Sequence, residues 1–325
     1  MSKYKQISPN IQQITIDNPR TSNDKLIWLN IENAGKKEIE YLRKKYKFEI
    51  RHLQMALATY SAQRPRISQG EGYLFLILHF PVFQNGQITA GEIDFFLTHG
   101  LLITLHNNNI PVLNHFFNQC KKDGDSLLAY QLESSAILLY ELLRKLMIKC
   151  FELLDENSVE ISKAEEIIFS NEPLEQKKSI ARILSLRHNI INFRKIMQNH
   201  KNILKKLMEK ESSVVPAEHI KKYYKELIDH SKRIWEILEN QKEMIEVLYQ
   251  TNESLLNYRL NNIIKTLTIF SVIVFPLTLF AAVFGMNTTN GMPFLNAHNG
   301  FWIIVTIMIF ASLGMLLFFE KKRWL

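Results

Sequence analysis

Residues 266–319 read TLTIFSVIVFPLTLFAAVFGMNTTNGMPFLNAHNGFWIIVTIMIFASLGMLLFF, 54 consecutive positions without Lys, Arg, Asp or Glu. The tract divides into two apolar runs of 18 and 19 residues, Leu267–Phe284 and Phe301–Phe319. Each suffices for a hydrocarbon layer of ~30 Å at ~1.5 Å per helical residue. A polar loop of 16 residues, Gly285–Gly300, separates them. Arg259 and Lys265 precede the first run, Lys321, Lys322 and Arg323 follow the second, and the loop holds neither Lys nor Arg. The positive-inside rule then puts both termini in the cytoplasm and the loop outside. A wholly soluble protein is excluded.

Outward from this tract, the preceding 265 residues have an ordinary soluble pattern. The chain of 325 residues is 46% hydrophobic with a net charge of +8, which excludes a disordered chain. That charge would suit nucleic acid, but no nucleic-acid-binding motif accompanies it, and nucleic acid is not an expected partner. Two cysteines, Cys120 and Cys150, are too few for a disulfide framework. The first 25 residues contain no apolar core of signal-peptide type, so the N-terminus is expected to stay inside.

The first span differs from the second in carrying hydroxyls. Asn261, Ile264, Leu267, Ser271, Phe275, Thr278 and Ala282 follow one another in steps of three and four, forming one helix stripe. Such a stripe suits the wall of a water-filled path. The alternative is that Ser and Thr only bond back to carbonyls of their own helix. Pro276 removes one backbone bond and is expected to bend this helix. The second span, nearly all Ile, Phe, Leu, Met and Val, suits a lipid-facing helix.

Upstream, strands are expected at Leu26–Ile31, Tyr73–Phe83, Glu92–Thr98 and Leu101–His106, the last two joined by a hairpin at His99-Gly100. Helices are expected over 37–59 and 110–119, giving an α/β domain over residues 1–125. Two further helices, about 130–169 and 173–210, meet at Asn171-Glu172-Pro173 and make an antiparallel hairpin within 126–215. Residues 151–175 hold eight acids and one Lys, whereas 176–210 hold ten basic residues and one acid. Pairing across the hairpin explains this split, and a separate ion-attracting role is the alternative. Between Pro216 and Pro276 there is no Pro or Gly. A helix from Glu218 to Phe284 would run ~100 Å, a stalk over 216–266 that enters the membrane as the first span. The fold class is thus an α+β membrane protein with an N-terminal α/β domain, a helical hairpin, a stalk continuous with the first span (267–284), an outer loop (285–300), a second span (301–319) and a basic tail (320–325).

Gly285-Met286-Asn287 directly follows the first span. With a long stalk, two C-terminal spans and the ending Lys321-Lys322-Arg323-Trp324-Leu325, it resembles the CorA family of divalent-cation channels. Asn261–Asn287 is similar to that family's pore helix throughout, including Lys265, Leu267-Thr268 and Pro276-Leu277-Thr278. Gln63-Arg64-Pro65-Arg66 followed by Tyr73-Leu74-Phe75 resembles its N-terminal strand region, and Tyr223-Tyr224-Lys225-Glu226 with Asp229-His230 resembles its stalk.

The resemblance implies a funnel-shaped homopentamer in a bacterial inner membrane, whose first spans line one pore. Five Asn287 carboxamides would hydrogen-bond the water shell of Mg²⁺, an ion that dehydrates reluctantly. Gly285 and Met286 complete the filter motif, with Met286 packing behind it. Thr278 and Ser271 would add polar rings, Leu267 and Ile264 an apolar constriction, and Phe275 would narrow the path or turn aside. Mg²⁺ is then both the transported ion and a candidate regulator. Lys321, Lys322 and Arg323 would form a basic collar around the pore or anchor lipid headgroups.

The sequence also departs from the family. The outer loop has Met292-Pro293-Phe294-Leu295 where many members carry an acid, leaving Asn290, Asn296 and carbonyls beside Asn287 to attract cations. His298 is the loop's one titratable side chain, either a soft-metal ligand or incidental. In the family's regulatory site the stalk acid corresponds to Glu226, near Asp229, but the acid pair expected before Gln63 is replaced by Ala56 and Leu57. Feedback by internal Mg²⁺ is therefore expected to be weak. A Co²⁺, Ni²⁺ or Zn²⁺ transporter on the same scaffold is the nearest alternative, and a membrane-anchored sensor or scaffold is the alternative from another class. No nucleophile–base arrangement, zinc-ligand spacing or Walker-type loop points to an enzyme or an organic cofactor.

Overall fold

The computed structural model describes residues 2–17, 25–57, 64–122, 134–169, 173–209, 218–286, 293–294 and 299–324. The chain divides into two compact units, Met1–Leu248 and Tyr249–Leu325. The first is built on a seven-stranded sheet of β1 (Ser2–Gln6), β2 (Ile11–Asp17), β3 (Lys25–Glu32), β4 (Arg66–Gly70), β5 (Tyr73–Gln84), β6 (Gln87–Thr98) and β7 (Leu101–His106). Its order is β1-β2-β3-β7-β6-β5-β4, antiparallel except for the parallel pair β3–β7. Strands β3, β5, β6 and β7 contain the four expected ones. β1, β2 and β4 were not expected: Lys, Gln, Ser and Thr dilute their apolar alternation. β6 begins five residues earlier than expected. Asn85 (φ 51°) and Gly86 (φ 79°) close a two-residue hairpin whose left-handed turn suits this Asn-Gly pair.

Both faces of the sheet are covered, which is why Tyr73–Phe83 of β5 reads as an apolar run broken only by His79. Helices α1 (Lys36–Tyr46) and α2 (Ile50–Ala56) pack Leu42 and Leu53 against Leu29, Ile31, Phe75 and Ile103. On the other face, Trp28 meets Phe116 and Phe117 of α3 (Pro111–Lys122) at ring distances of 5.5 and 4.9 Å. Beside it lies a buried polar cluster: Trp28 donates to the Thr104 hydroxyl (3.2 Å), and Asn30 Oδ1 accepts from Thr104 (2.7 Å) and from His106 Nε2 (3.1 Å).

The single helix expected over 37–59 is two helices. Lys47 turns left-handed (φ 56°) and ends α1, and Phe48 stacks 4.6 Å from the rings of Phe96 and Tyr73. Burying that ring outweighs continuation of the helix, and the Glu49 amide donates to the Tyr73 hydroxyl at 3.0 Å. Residues 58–59 lie outside the described residues.

Three more helices follow in the first unit: α4 (Ser135–Phe169), α5 (Pro173–Met197) and α6 (His200–Glu209). The expected second hairpin helix is thus interrupted at Gln198-Asn199, where His200 turns inward against Phe80 with ring centroids 5.1 Å apart. Across the hairpin Arg182 pairs with Glu160. Arg187 and Arg194 instead meet Glu246 (3.4 Å) and Glu239 of α7 (Glu218–Phe284), so charge pairing explains the basic helix but draws on two partners. α7 buries Tyr224, Leu227, Ile234, Leu238, Ile245 and Leu248, at the three-and-four spacing of one helix face. Tyr224 donates its hydroxyl to the Ala136 carbonyl at 2.8 Å, and Gln241 donates to Leu154 O and Ser158 Oγ at 2.7 and 2.9 Å.

The second unit holds the rest of α7 and α8 (Gly300–Lys321). The observed α7 coincides with the expected helix from Glu218 to Phe284, and α8 extends the second apolar run at both ends.

Burial holds the rings of His106 and His200 at about 4, below the ordinary imidazole value. Unfolded, each would titrate near ~6.5. Between those values the unfolded chain takes up protons that the folded chain refuses, so stability present above pH ~6.5 is lost as pH falls, at about 1.4 kcal/mol per pH unit per ring. The melting midpoint should drop between pH 7 and 5, with a shallower slope in His200→Leu; an unchanged slope would remove His200 from this account.

Candidate functional site

In the second unit the N-terminal end of the first span lies beside the C-terminal end of α8, where Lys265 Nζ donates to the Arg323 carbonyl at 3.3 Å. Ile269 and Phe319 are the buried apolar side chains of this pair. Ile269, Ile273, Leu277, Phe280 and Phe284 form a covered or half-covered face of the first span. The stripe of Asn261, Ile264, Leu267, Phe275, Thr278 and Ala282 is exposed, with Ser271 half-buried at its edge. Exposure reaches 64% at Leu267 and 71% at Phe275, so the stripe faces away from α8.

Ser271 donates to Leu267 O and Thr278 to Val274 O, both at 2.8 Å. Thr268 bonds Ile264 O in the same way. The hydroxyl protons are therefore spent within the helix, as the alternative in the sequence allowed. Each oxygen keeps lone pairs, however, so the stripe can still offer acceptors to water. α7 continues through Pro276. Since proline has no amide proton, the Val272 carbonyl loses its usual partner there.

α7 ends at Phe284, and the Gly285 amide still bonds Ala281 O at 2.9 Å. A Cβ on Gly285 would lie 3.2 Å from that same carbonyl, a tight fit. Met286 is 59% exposed in the single chain. Asn287, Asn290, Asn296 and His298 lie outside the described residues. At the far end of the loop, Phe294 takes a left-handed backbone (φ 65°) and its carbonyl faces the backbone of Gly300. A Cβ on Gly300 would fall far inside van der Waals contact with that oxygen. This close approach was missed in the sequence, where Gly300 is merely the loop's last residue.

The basic tail folds as a helix cap. Arg323 turns left-handed (φ 56°), its amide bonds Glu320 O at 2.9 Å, and the Trp324 amide bonds Phe319 O at 2.9 Å. The Trp324 ring stacks on Phe319 at 5.9 Å, completing a Schellman motif with its hydrophobic contact. Lys321 is the last residue of α8, and Lys321, Lys322 and Arg323 are exposed.

The two stalk acids have partners already. Glu226 accepts from the Tyr140 hydroxyl at 2.8 Å and lies 3.8 Å from His230 Nε2. Asp229 pairs with Lys232 at 2.8 Å, a hydrogen bond that lowers its pKa. Ala56 ends α2 and Leu57 caps it. Among the described residues no three His, Cys, Asp or Glu side chains gather to hold a metal.

The profile of the family described as "CorA-like Mg2+ transporter protein" matches residues 23–323. The chain belongs to this family of divalent-cation transporters. Among CorA relatives, the cobalt/magnesium transport protein of Thermotoga maritima is 23% identical over 81% of the chain and 73% of that protein. Its counterpart in Methanocaldococcus jannaschii is 20% identical over 98% of the chain and 96% of that protein. The complete structure of the M. jannaschii CorA magnesium transporter superposes with a TM-score of 0.77, covering 92% of each chain at 20% identity, which shows the CorA fold. In this family of membrane transporters, the two helices among the described residues that are long and apolar enough to cross a bilayer are α7, within Lys221–Phe284, and α8.

Because backbone meets backbone at Gly300, Gly300→Ala should cost about 1–3 kcal/mol in overpacking. It should lower the melting midpoint in detergent, whereas Gly314→Ala, where a Cβ meets nothing within 4 Å, should leave it unchanged. Equal midpoints for the two variants would refute the close approach.

Proposed function

We propose that this protein conducts Mg²⁺, and Co²⁺ less selectively, passively down its electrochemical gradient through a pore lined by the first spans of a homopentamer. The observation that carries the proposal is the exposed polar-and-apolar stripe of the first span, running from Asn261 to Ala282 and ending at Gly285-Met286. A helix covered by α8 on one face and uncovered on that stripe is suited to face copies of itself and water. Asn287 completes the filter: its carboxamides contact the hydrated ion, with Gly285 permitting close backbone packing and Met286 lying behind. Leu267 and Ile264 form the apolar constriction, and Thr278 and Ser271 offer acceptor oxygens.

Both termini lie in the cytoplasm of a bacterial inner membrane, with residues 1–125, 126–215 and 216–266 forming the cytoplasmic domain, hairpin and stalk. The tail residues Lys321, Lys322 and Arg323 ring the inner mouth. At 100 mV a divalent ion gains about 4.6 kcal/mol on entry, at ~2.3 per charge, which is drive enough without ATP. Relatives named cobalt/magnesium transport proteins favour Co²⁺ as the second ion. Neutral oxygens leave Ni²⁺ and Zn²⁺ as weaker competitors.

Proteoliposomes under an inside-negative potential should take up Mg²⁺, and Asn287→Ala should slow uptake by at least about tenfold, the effect of ~1.4 kcal/mol on the barrier. Uptake unaffected by the substitution would overturn the filter. Absence of flux for Mg²⁺, Co²⁺, Ni²⁺ and Zn²⁺ alike, in assembled protein, would favour a membrane-anchored sensor.

Feedback by internal Mg²⁺ is weak in this proposal, because Ala56 and Leu57 supply no carboxylate and Glu226 is engaged by Tyr140. Loading the cytoplasmic side with millimolar Mg²⁺ should lower Co²⁺ conductance only by competition for the pore, and equally in wild type and Glu226→Gln. Closure that disappears in Glu226→Gln would contradict this.

A further inference from the structure

The transport path leaves one feature of the first unit unexplained. Asp94, on β6, is 3% exposed, and its Oδ1 has no hydrogen-bond partner among the described residues. On the flanking strands it stands opposite Ile77 and Leu105, both part of the apolar core beneath α1 and α2. Glu92 lies two residues away on the same strand face, its Oε2 held at 2.9 Å by His79 Nε2. Asp94 and Glu92 line a cavity of about 20 Å³ bordered by Ala56, Leu57 and Asn107.

Neither protonation state satisfies this carboxyl group. Ionised, Asp94 is a buried charge with an unpaired oxygen and a second carboxylate nearby. Burial first, and then the charge of Glu92, push its proton affinity well above the ordinary range. Protonated on Oδ1, it has no acceptor among the described side chains and backbone, and a buried unsatisfied polar group is costly. A cation placed between the two carboxylates removes both penalties.

We propose that Asp94 and Glu92 form a site for one hard divalent cation in the cavity under the end of α2. The His106 ring also lines the cavity, but Asn30 and the Asn108 amide engage both of its nitrogens, so the donors left are oxygens: two carboxylates, and the carboxamide and backbone carbonyls at the rim. That chemistry suits Ca²⁺, Mg²⁺ or Mn²⁺ rather than a soft metal. Size then orders these ions. A cavity of about 20 Å³ has room for about one water-sized body, so an ion seated between the carboxylates loses the part of its shell that faces them. Mg²⁺ keeps its waters most tightly, so this site prefers Ca²⁺ and Mn²⁺ over Mg²⁺, opposite to the preference proposed for the pore. Because Ala56 and Leu57 border the cavity, occupancy also fastens the end of α2 to the sheet.

The test counts bound ions and does not depend on flux. Purified full-length protein, stripped with chelator, is titrated with Mn²⁺ and Ca²⁺ at pH 7.5, with Asp94→Asn and Glu92→Gln alongside. Wild type should bind one more ion per chain than Asp94→Asn, and Glu92→Gln should bind that ion at least tenfold more weakly. Ca²⁺ should raise the wild-type melting midpoint, with a much smaller rise in either variant, and millimolar Mg²⁺ should not displace bound Mn²⁺. Equal stoichiometry and equal Ca²⁺-dependent melting in all three proteins would overturn the proposal. So would a wild-type midpoint indifferent to Ca²⁺ while Asp94→Asn melts higher, since Asp94 would then only carry a burial cost. If Asp94→Asn does not fold, Glu92→Gln decides on the same readouts.

Discussion

One helix, α7, has to satisfy two solvents along a single hydrogen-bonded backbone of 67 residues. In the first unit it is amphipathic. Tyr224, Leu227, Ile234, Leu238 and Ile245 are buried, while Lys and Glu occupy the other faces. From Leu267 it is apolar on nearly every face, and a bilayer leaves no alternative to an intact helix because lipid cannot hydrogen-bond its amides and carbonyls. The hydroxyls of Ser271 and Thr278, and the missing amide proton of Pro276, are accommodated inside that constraint. The former two bond back to their own helix without breaking it.

The first unit anchors α7 with polar contacts as well as apolar ones. Gln241 reaches the Leu154 carbonyl and Ser158, Tyr224 reaches the Ala136 carbonyl, and Arg194 pairs with Glu239 while lying 5.0 Å from the Trp235 ring centre. Buried donors of this kind are poorly replaced, since removing one partner leaves the other unsatisfied. They fix the rotation of α7 about its axis more tightly than interchangeable leucines would.

Legibility in the sequence followed the range of the interactions. The stripe residues Asn261 to Ala282 share one uncovered face because helical periodicity alone puts them there. Glu226 was legible as a stalk acid, yet its engagement by Tyr140 was not, since the two are 86 positions apart. Likewise, Gly300 gives no local sign that the Phe294 carbonyl occupies the space of its missing side chain. Asp94 sits in a strand whose apolar neighbours announce burial, but nothing in the sequence reveals that its Oδ1 goes unpartnered.

The sequence by itself determined the two apolar spans, the length of α7 from Glu218 to Phe284 and the core strands β5 and β7, because charge, proline placement and hydrophobic period are local properties. Tertiary structure alone decided that β3 runs parallel to β7, that Phe48 ends one helix and starts another, and that the basic residues of α5 are shared between α4 and α7. Each of those outcomes depends on which distant group fills a space or meets a charge. Such choices are made by packing after the local elements exist, when a ring like Phe48 gains more from the core than its backbone loses by leaving the helix.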